Sequence, residues 1–175
     1  MKKVVLSLVA FTVITLGCSQ EKKSEDQASQ EPKKEEKVMQ ASTSEVSSEQ
    51  LKSILSSYFN VKDALVKTDA KEAKSALAKL LESVGSEFEQ IKSLTKEMHN
   101  QEDVEEIRSG FDDLSQEVYT LVKENAESKD QKVYKQFCPM AFNNEGAFWL
   151  SDKEEIRNPY FGDKMLKCGK VEEEL

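Results

Sequence analysis

Cys138-Pro139-Met140 and Met165-Leu166-Lys167-Cys168 each join one thiol to one thioether. Thiolate and thioether sulfur together favour soft ions such as Cu(I) or Ag(I) over hard ones. Side chains two apart can converge if Pro139 holds a turn. Side chains three apart share one side of a helical turn or tight loop. Structural zinc is a poorer fit, because it wants four nitrogen or thiolate ligands. Ligating thiols must lose their protons, so uptake would couple to pH and to folding. Two other readings stay open. Cys138 and Cys168 could form a disulfide, or remain buried free thiols, with Met140 and Met165 filling gaps in a core. His99 is the single histidine. It could add a ligand, or serve the negative end of a helix dipole.

These residues need a scaffold. Residues 133–169 hold the only Trp and three of the six Gly, together with several Phe and Tyr. The segment is too short for a core of its own, so packing, a disulfide or a metal must fix it. Val133-Tyr134-Lys135-Gln136-Phe137 alternates as a strand does. Ser151-Asp152-Lys153-Glu154 reads as a capping box, which places a helical turn at 152–156. Gly146, Gly162 and Gly169 suit turns with positive φ. Trp149 and Tyr160 are expected to pack the tail onto the body.

The body reads as three amphipathic helices, at 48–67, 70–98 and 102–125. Their stripes are Leu51, Ile54, Leu55, Tyr58, Val61 and Leu65; Ala73, Leu77, Leu80, Leu81, Val84, Phe88, Ile91 and Leu94; and Val104, Ile107, Phe111, Leu114, Val118 and Leu121. Ser47 or Ser48, Asp69 and Asn100 are the expected N-caps. Gly85 falls inside the second helix, where it marks a close crossing or a bend. Short loops between long helices imply an up-down-up three-helix bundle. The fold class is therefore mainly α, with an irregular aromatic and Gly-rich C-terminal segment. Residues 47–175 make one domain.

The N-terminal stretch reads as an address, not as fold. Lys2 and Lys3 precede a short apolar run from Val4 to Leu16. The run is well below the roughly 20 residues of a spanning helix. Thr15-Leu16-Gly17-Cys18 is similar to a bacterial lipobox, with Thr15 departing from the usual aliphatic residue. Residues 1–17 are then a lipoprotein signal peptide, and Cys18 is the lipidation site. Residues 18–46, rich in Glu, Lys, Ser and Gln, form a disordered tether. Such a coil spans on the order of 30 Å. The expected setting is the cell envelope, periplasmic or at the outer membrane, with the membrane as partner through the lipid. In that oxidising compartment a Cys138–Cys168 disulfide can form.

Charge narrows the partners. The net charge is −8, and loss of a leader holding Lys2 and Lys3 would make it more negative. No basic patch offers a footprint for nucleic acid. No enzyme is expected: no nucleophile–base arrangement surrounds His99, and Cys138 lacks a second thiol three residues away. Asp112-Asp113 and Glu105-Glu106 read as solvated charge.

The pattern Tyr134, Phe137-Cys138-Pro139-Met140-Ala141, Gly146-Ala147-Phe148-Trp149-Leu150-Ser151, Ile156-Arg157-Asn158-Pro159-Tyr160-Phe161-Gly162 and Met165-Leu166-Lys167-Cys168-Gly169 resembles a domain-of-unknown-function family. Phe111, Leu114-Ser115 and Tyr119 also fit. That family occurs in lipoproteins of Bacteroidetes and relatives, and is appended to membrane fusion proteins of heavy-metal (copper) efflux systems. The resemblance spans roughly 50–170. It implies soft-metal binding at Cys138, Met140, Met165 and Cys168, with buffering or hand-off of Cu(I) to an efflux or metal-transfer protein.

Overall fold

Apolar periodicity of about 3.6 residues builds the body. The computed structural model describes residues 46–128 and 131–175. The expected signal peptide, Cys18 and nearly all of the tether lie outside the described residues. Val46, the last tether residue, packs into the core. Four right-handed helices follow: α1 (Ser48–Val66), α2 (Ala70–Ser83), α3 (Glu89–His99) and α4 (Val104–Glu124). α1 packs on α2, α2 on α3, and α3 on α4, which also meets α1 and α2. Most stripe residues are buried; Leu81, Phe88, Leu94 and Val104 are half-buried. Among the described residues no helix is long and apolar enough to cross a membrane.

The expected helix over 70–98 is two helices, so the three-helix description is corrected. α2 stops at Ser83, with Val84 extended at ψ 119. The Ser83 hydroxyl donates to the Leu80 carbonyl, and the Val84 N–H donates to the same oxygen. Gly85 weakens any continuation. The Glu87 carboxylate folds over Gly85, where a Cβ would collide with it, and accepts from the Gln50 side chain.

Two caps stand where expected. Ser47 accepts from the Gln50 N–H and Asp69 from the Glu72 N–H. The third differs: Asn100 closes α3, and Asp103 caps α4 by accepting from the Glu105 N–H. Asn100 follows α3 directly, so its backbone is already committed to that helix's last carbonyls.

The C-terminal part is a small antiparallel sheet of order β2-β1-β3. Its strands are β1 (Tyr134–Cys138), β2 (Ala147–Ser151) and β3 (Lys170–Glu174). The alternating stretch at 133–137 is thus a strand; the other two were not predicted. β1 pairs β2 from Tyr134↔Ser151 to Cys138↔Ala147, and pairs β3 from Tyr134↔Glu174 to Phe137↔Lys170 across a bulge. β2 rests on α4 and α1.

The expected helical turn at 152–156 is absent; 152–155 bend without it. Ser151 ends β2, and its hydroxyl accepts from the Lys153 N–H. The buried Gln136 amide donates to the carbonyls of Lys153 and Glu154. Gly146, Gly162 and Gly169 all have positive φ, as expected.

Candidate functional site

The sheet places the sulfurs. Cys138 ends β1, and Cys168 lies two residues before β3. The antiparallel pairing Phe137↔Lys170 therefore brings together two cysteines thirty residues apart. Their Sγ atoms are 2.9 Å apart, and both are free thiols. Cys138 is fully buried and Cys168 half-buried.

That separation lies between two chemistries. A disulfide bond is about 2.05 Å long. Two thiolates about 2.3 Å from one ion stand roughly 3.8 Å apart at a tetrahedral angle. Closing by under an ångström gives the bond, and opening by about as much admits an ion. Burial, then the neighbouring Cys138 thiol, pushes the Cys168 thiol up to about 11. It is protonated at neutral pH, so ion uptake must expel that proton.

The thioethers meet at a groove that neither cysteine lines. Met140 and Met165 line one open groove with Phe142, Tyr160, Phe161 and Arg108. The Met140 backbone N–H donates to the Cys168 sulfur, and the Cys168 N–H donates to the Met165 carbonyl at 2.9 Å. Met165 is half-buried, while Met140 is 45% exposed. His99 is half-buried at the end of α3 and does not line this groove. Among the described residues, no three His, Cys, Asp or Glu side chains cluster as a metal site. Thiolate and thioether sulfur together suit a soft ion better than zinc.

The residues that fix this arrangement were mostly invisible in the sequence. Asn158 is buried and works in three directions. Its amide donates to the Cys168 carbonyl at 2.8 Å, its carbonyl oxygen accepts from the Tyr160 and Phe161 N–H groups, and its own N–H donates to Leu166. Arg108 is buried on α4. It donates to the carbonyls of Pro159 and Leu65, to the Thr68 hydroxyl and to the Glu105 carboxylate. Gly162, at φ 56, sits where a Cβ would strike Thr68 Oγ1, the Arg108 guanidinium and the Val66 carbonyl. Together these clamp the Asn158–Gly162 stretch to the α1–α2 turn. Tyr58 is a second clamp. Its hydroxyl accepts from the Leu150 N–H and pairs with Ser115. The Asn-Pro dipeptide was a turn signal, but nothing in the sequence marked Arg108.

Trp149 and Tyr160 pack on the body as expected. Tyr160 touches Phe111, Phe142 and Trp149, and its hydroxyl donates to the Phe148 carbonyl. Asp112 is not simply solvated: it is half-buried, and burial raises its pKa. Trp149 Nε1 and Gln136 Oε1 are buried without hydrogen-bond partners, and the two residues face each other across β1 and β2.

Beyond Met140 the chain makes a left-handed turn. Phe142, Asn143 and Asn144 have φ of 49°, 57° and 74°. Asn adopts this region readily; for Phe it is an outlier. Such strain costs of order 1–3 kcal/mol per residue and gathers at ligand clamps.

Residues 54–130 match the model of a family described as Protein of unknown function (DUF3347). The match runs from within α1 to just beyond α4, and the sheet that carries the cysteines lies outside it. No curated protein and no solved structure matches the chain.

Proposed function

We propose that this chain is a lipid-anchored, extracytoplasmic binder of soft metal ions of the Cu(I) or Ag(I) type. It buffers the ion or passes it to an efflux or metal-transfer protein. One observation carries the reading: two free thiols in contact, with one methionine two residues beyond Cys138 and another three residues before Cys168. Cys138 and Cys168 would hold the ion, with Met140 and Met165 completing its shell. Thioethers bind without deprotonation and exchange readily, which suits transfer over storage. Further support comes from the lipobox-like Thr15-Leu16-Gly17-Cys18 and from the tail's resemblance to domains appended to heavy-metal efflux proteins.

Competition titration against a Cu(I) chelator tests this. The reduced chain should retain about one equivalent, and Cys138→Ser or Cys168→Ser should weaken retention by at least about tenfold. No retention, or retention undiminished in both variants, overturns it. Loading should also acidify an unbuffered solution at pH 7, because the Cys168 thiol is protonated below about 11. Apparent affinity should accordingly rise with pH.

The same 2.9 Å contact favours a second reading: a structural or interaction module whose Cys138 and Cys168 form a disulfide. Free-thiol counting on protein from its native compartment separates the two. A bond that resists reduction at every redox poise supports the module.

A further inference from the structure

The two thiols of the pair differ in access. Cys138 is fully buried at the end of β1, while Cys168 is half-buried. Their Sγ atoms are nonetheless in contact at 2.9 Å, and neither is bonded. The backbone holds them there. β1 pairs with β3 through Phe137↔Lys170. Gly169, at φ 146, leaves no room for a Cβ between the Trp149 ring and the Phe137 carbonyl, so the chain beside Cys168 lies against β1. The Asn158 amide donates to the Cys168 carbonyl at 2.8 Å. Of the pair, only Cys168 presents surface to an outside reagent, and it has a second thiol beside it.

We infer that this pair exchanges with small disulfides in a fixed order: Cys168 forms the mixed disulfide, and Cys138 closes on it. In the first step the Cys168 sulfur bonds to one half of the small disulfide, and the other half leaves as a thiolate. In the second, the Cys138 sulfur bonds to that of Cys168 and expels the half still attached. The two cysteine protons end on the two departing thiolates. The small disulfide gains two electrons, and the cysteines lose two. Such exchange runs through a mixed disulfide and depends on access to the attacking thiol. The closing step joins sulfurs already at near-attack separation, where effective molarities are on the order of 10⁵ M or more. Closure needs a shift of under an ångström, so the mixed disulfide is short-lived. The metal reading needs both thiols reduced, and the module reading needs a lasting bond. Here the pair passes between those states, whether or not it ever holds an ion.

The test uses the full chain carrying Cys18→Ser, which removes its third cysteine. This parent is reduced, mixed with oxidised glutathione, quenched in acid at intervals and weighed by mass spectrometry. It should lose both thiols together, with no persistent glutathione adduct. Adding Cys138→Ala should give one glutathione adduct at about the parent's rate, and the reaction should stop there. Adding Cys168→Ala should slow the reaction by at least about tenfold, because the remaining thiol is buried. Far-UV dichroism checks that both variants fold. A measurement without core substitution stands beside them: a brief iodoacetamide pulse on the parent, mapped by peptide, should label Cys168 at least about tenfold faster than Cys138. Equal rates in the two variants, or equal labelling of the two thiols, overturns the order. A lasting adduct on the parent refutes the closing step, and a parent that does not react refutes the exchange. None of these outcomes involves a metal, so failure here leaves the Cu(I) titration to be judged on its own.

Discussion

The helical body and the sheet-bearing tail are held together by different physics. In the body, each helix buries an apolar stripe, and many equivalent contacts share the energy. In the tail, a few polar side chains fix irregular backbone: Arg108, Asn158, Gln136 and the Tyr58 hydroxyl. Truncating a buried stripe residue leaves a cavity. Removing a buried hydrogen-bond clamp leaves orphaned partners that pay full desolvation. The candidate site sits where these polar clamps supplement apolar packing by Val133, Trp149, Leu150 and Tyr160.

Arg108→Ala should break the contrast most severely. It strands the carbonyls of Leu65 and Pro159 in the interior, at about 1–3 kcal/mol each. Denaturation followed by Trp149 emission should then precede the loss of helical dichroism; coincident transitions would show that tail and body melt as one. Gly162→Ala should act in the same direction through collision with Thr68 and Arg108.

Asn158→Ala should come next, at about 1–3 kcal/mol. It frees the Cys168 carbonyl and the backbone of Tyr160 and Phe161. Its particular signature is faster alkylation of Cys168 with helical content unchanged.

What could be read beforehand follows the same division. Leu51, Ile54, Leu55, Tyr58, Val61 and Leu65 announced α1 because helix periodicity is a local property, and all six are buried. Ser47 and Asp69 announced their caps for the same reason. Gly85 was legible as a disturbance but not as a full stop, because the Glu87–Gln50 bond that helps to close the break spans 37 residues. β2 and β3 were missed because their partner lies elsewhere in the chain. In β3, Lys170-Val171-Glu172-Glu173-Glu174 has no apolar alternation to display. The capping-box sequence at Ser151 was genuine only as far as the Lys153 N–H that its hydroxyl accepts, and no helical turn follows it. The pairing of Cys138 with Cys168 was conceivable from residue type, yet only the β1–β3 register brings them into contact.

Asp112 should show a smaller, pH-dependent effect. Burial raises its carboxyl above the ordinary range. Its favourable contribution is present below the unfolded value, about 3.9, and is lost as pH rises through the higher folded value. Asp112→Asn should therefore raise the denaturation midpoint at pH 7, with the gain shrinking toward pH 3. An equal gain at both pH values would show that the cause is not ionisation.

Gly85→Ala should matter least. The new methyl meets only the carboxylate end of the exposed Glu87 side chain, which can swing away from Gln50, and Gly85 is not among the positive-φ glycines. A change within about 0.5 kcal/mol is expected. A clear gain in helical dichroism would mean that Gly85 alone divides α2 from α3.

The pairing of Cys138 with Cys168 around a soft ion is tested most directly by copper K-edge absorption on the Cu(I)-loaded, reduced chain. The expected result is a first shell of sulfur alone, near 2.3 Å by analogy with other metal thiolates, thinned by Met140→Leu or Met165→Leu and lost in the double cysteine variant. A shell of nitrogen or oxygen, or an unchanged spectrum in the double cysteine variant, would contradict it.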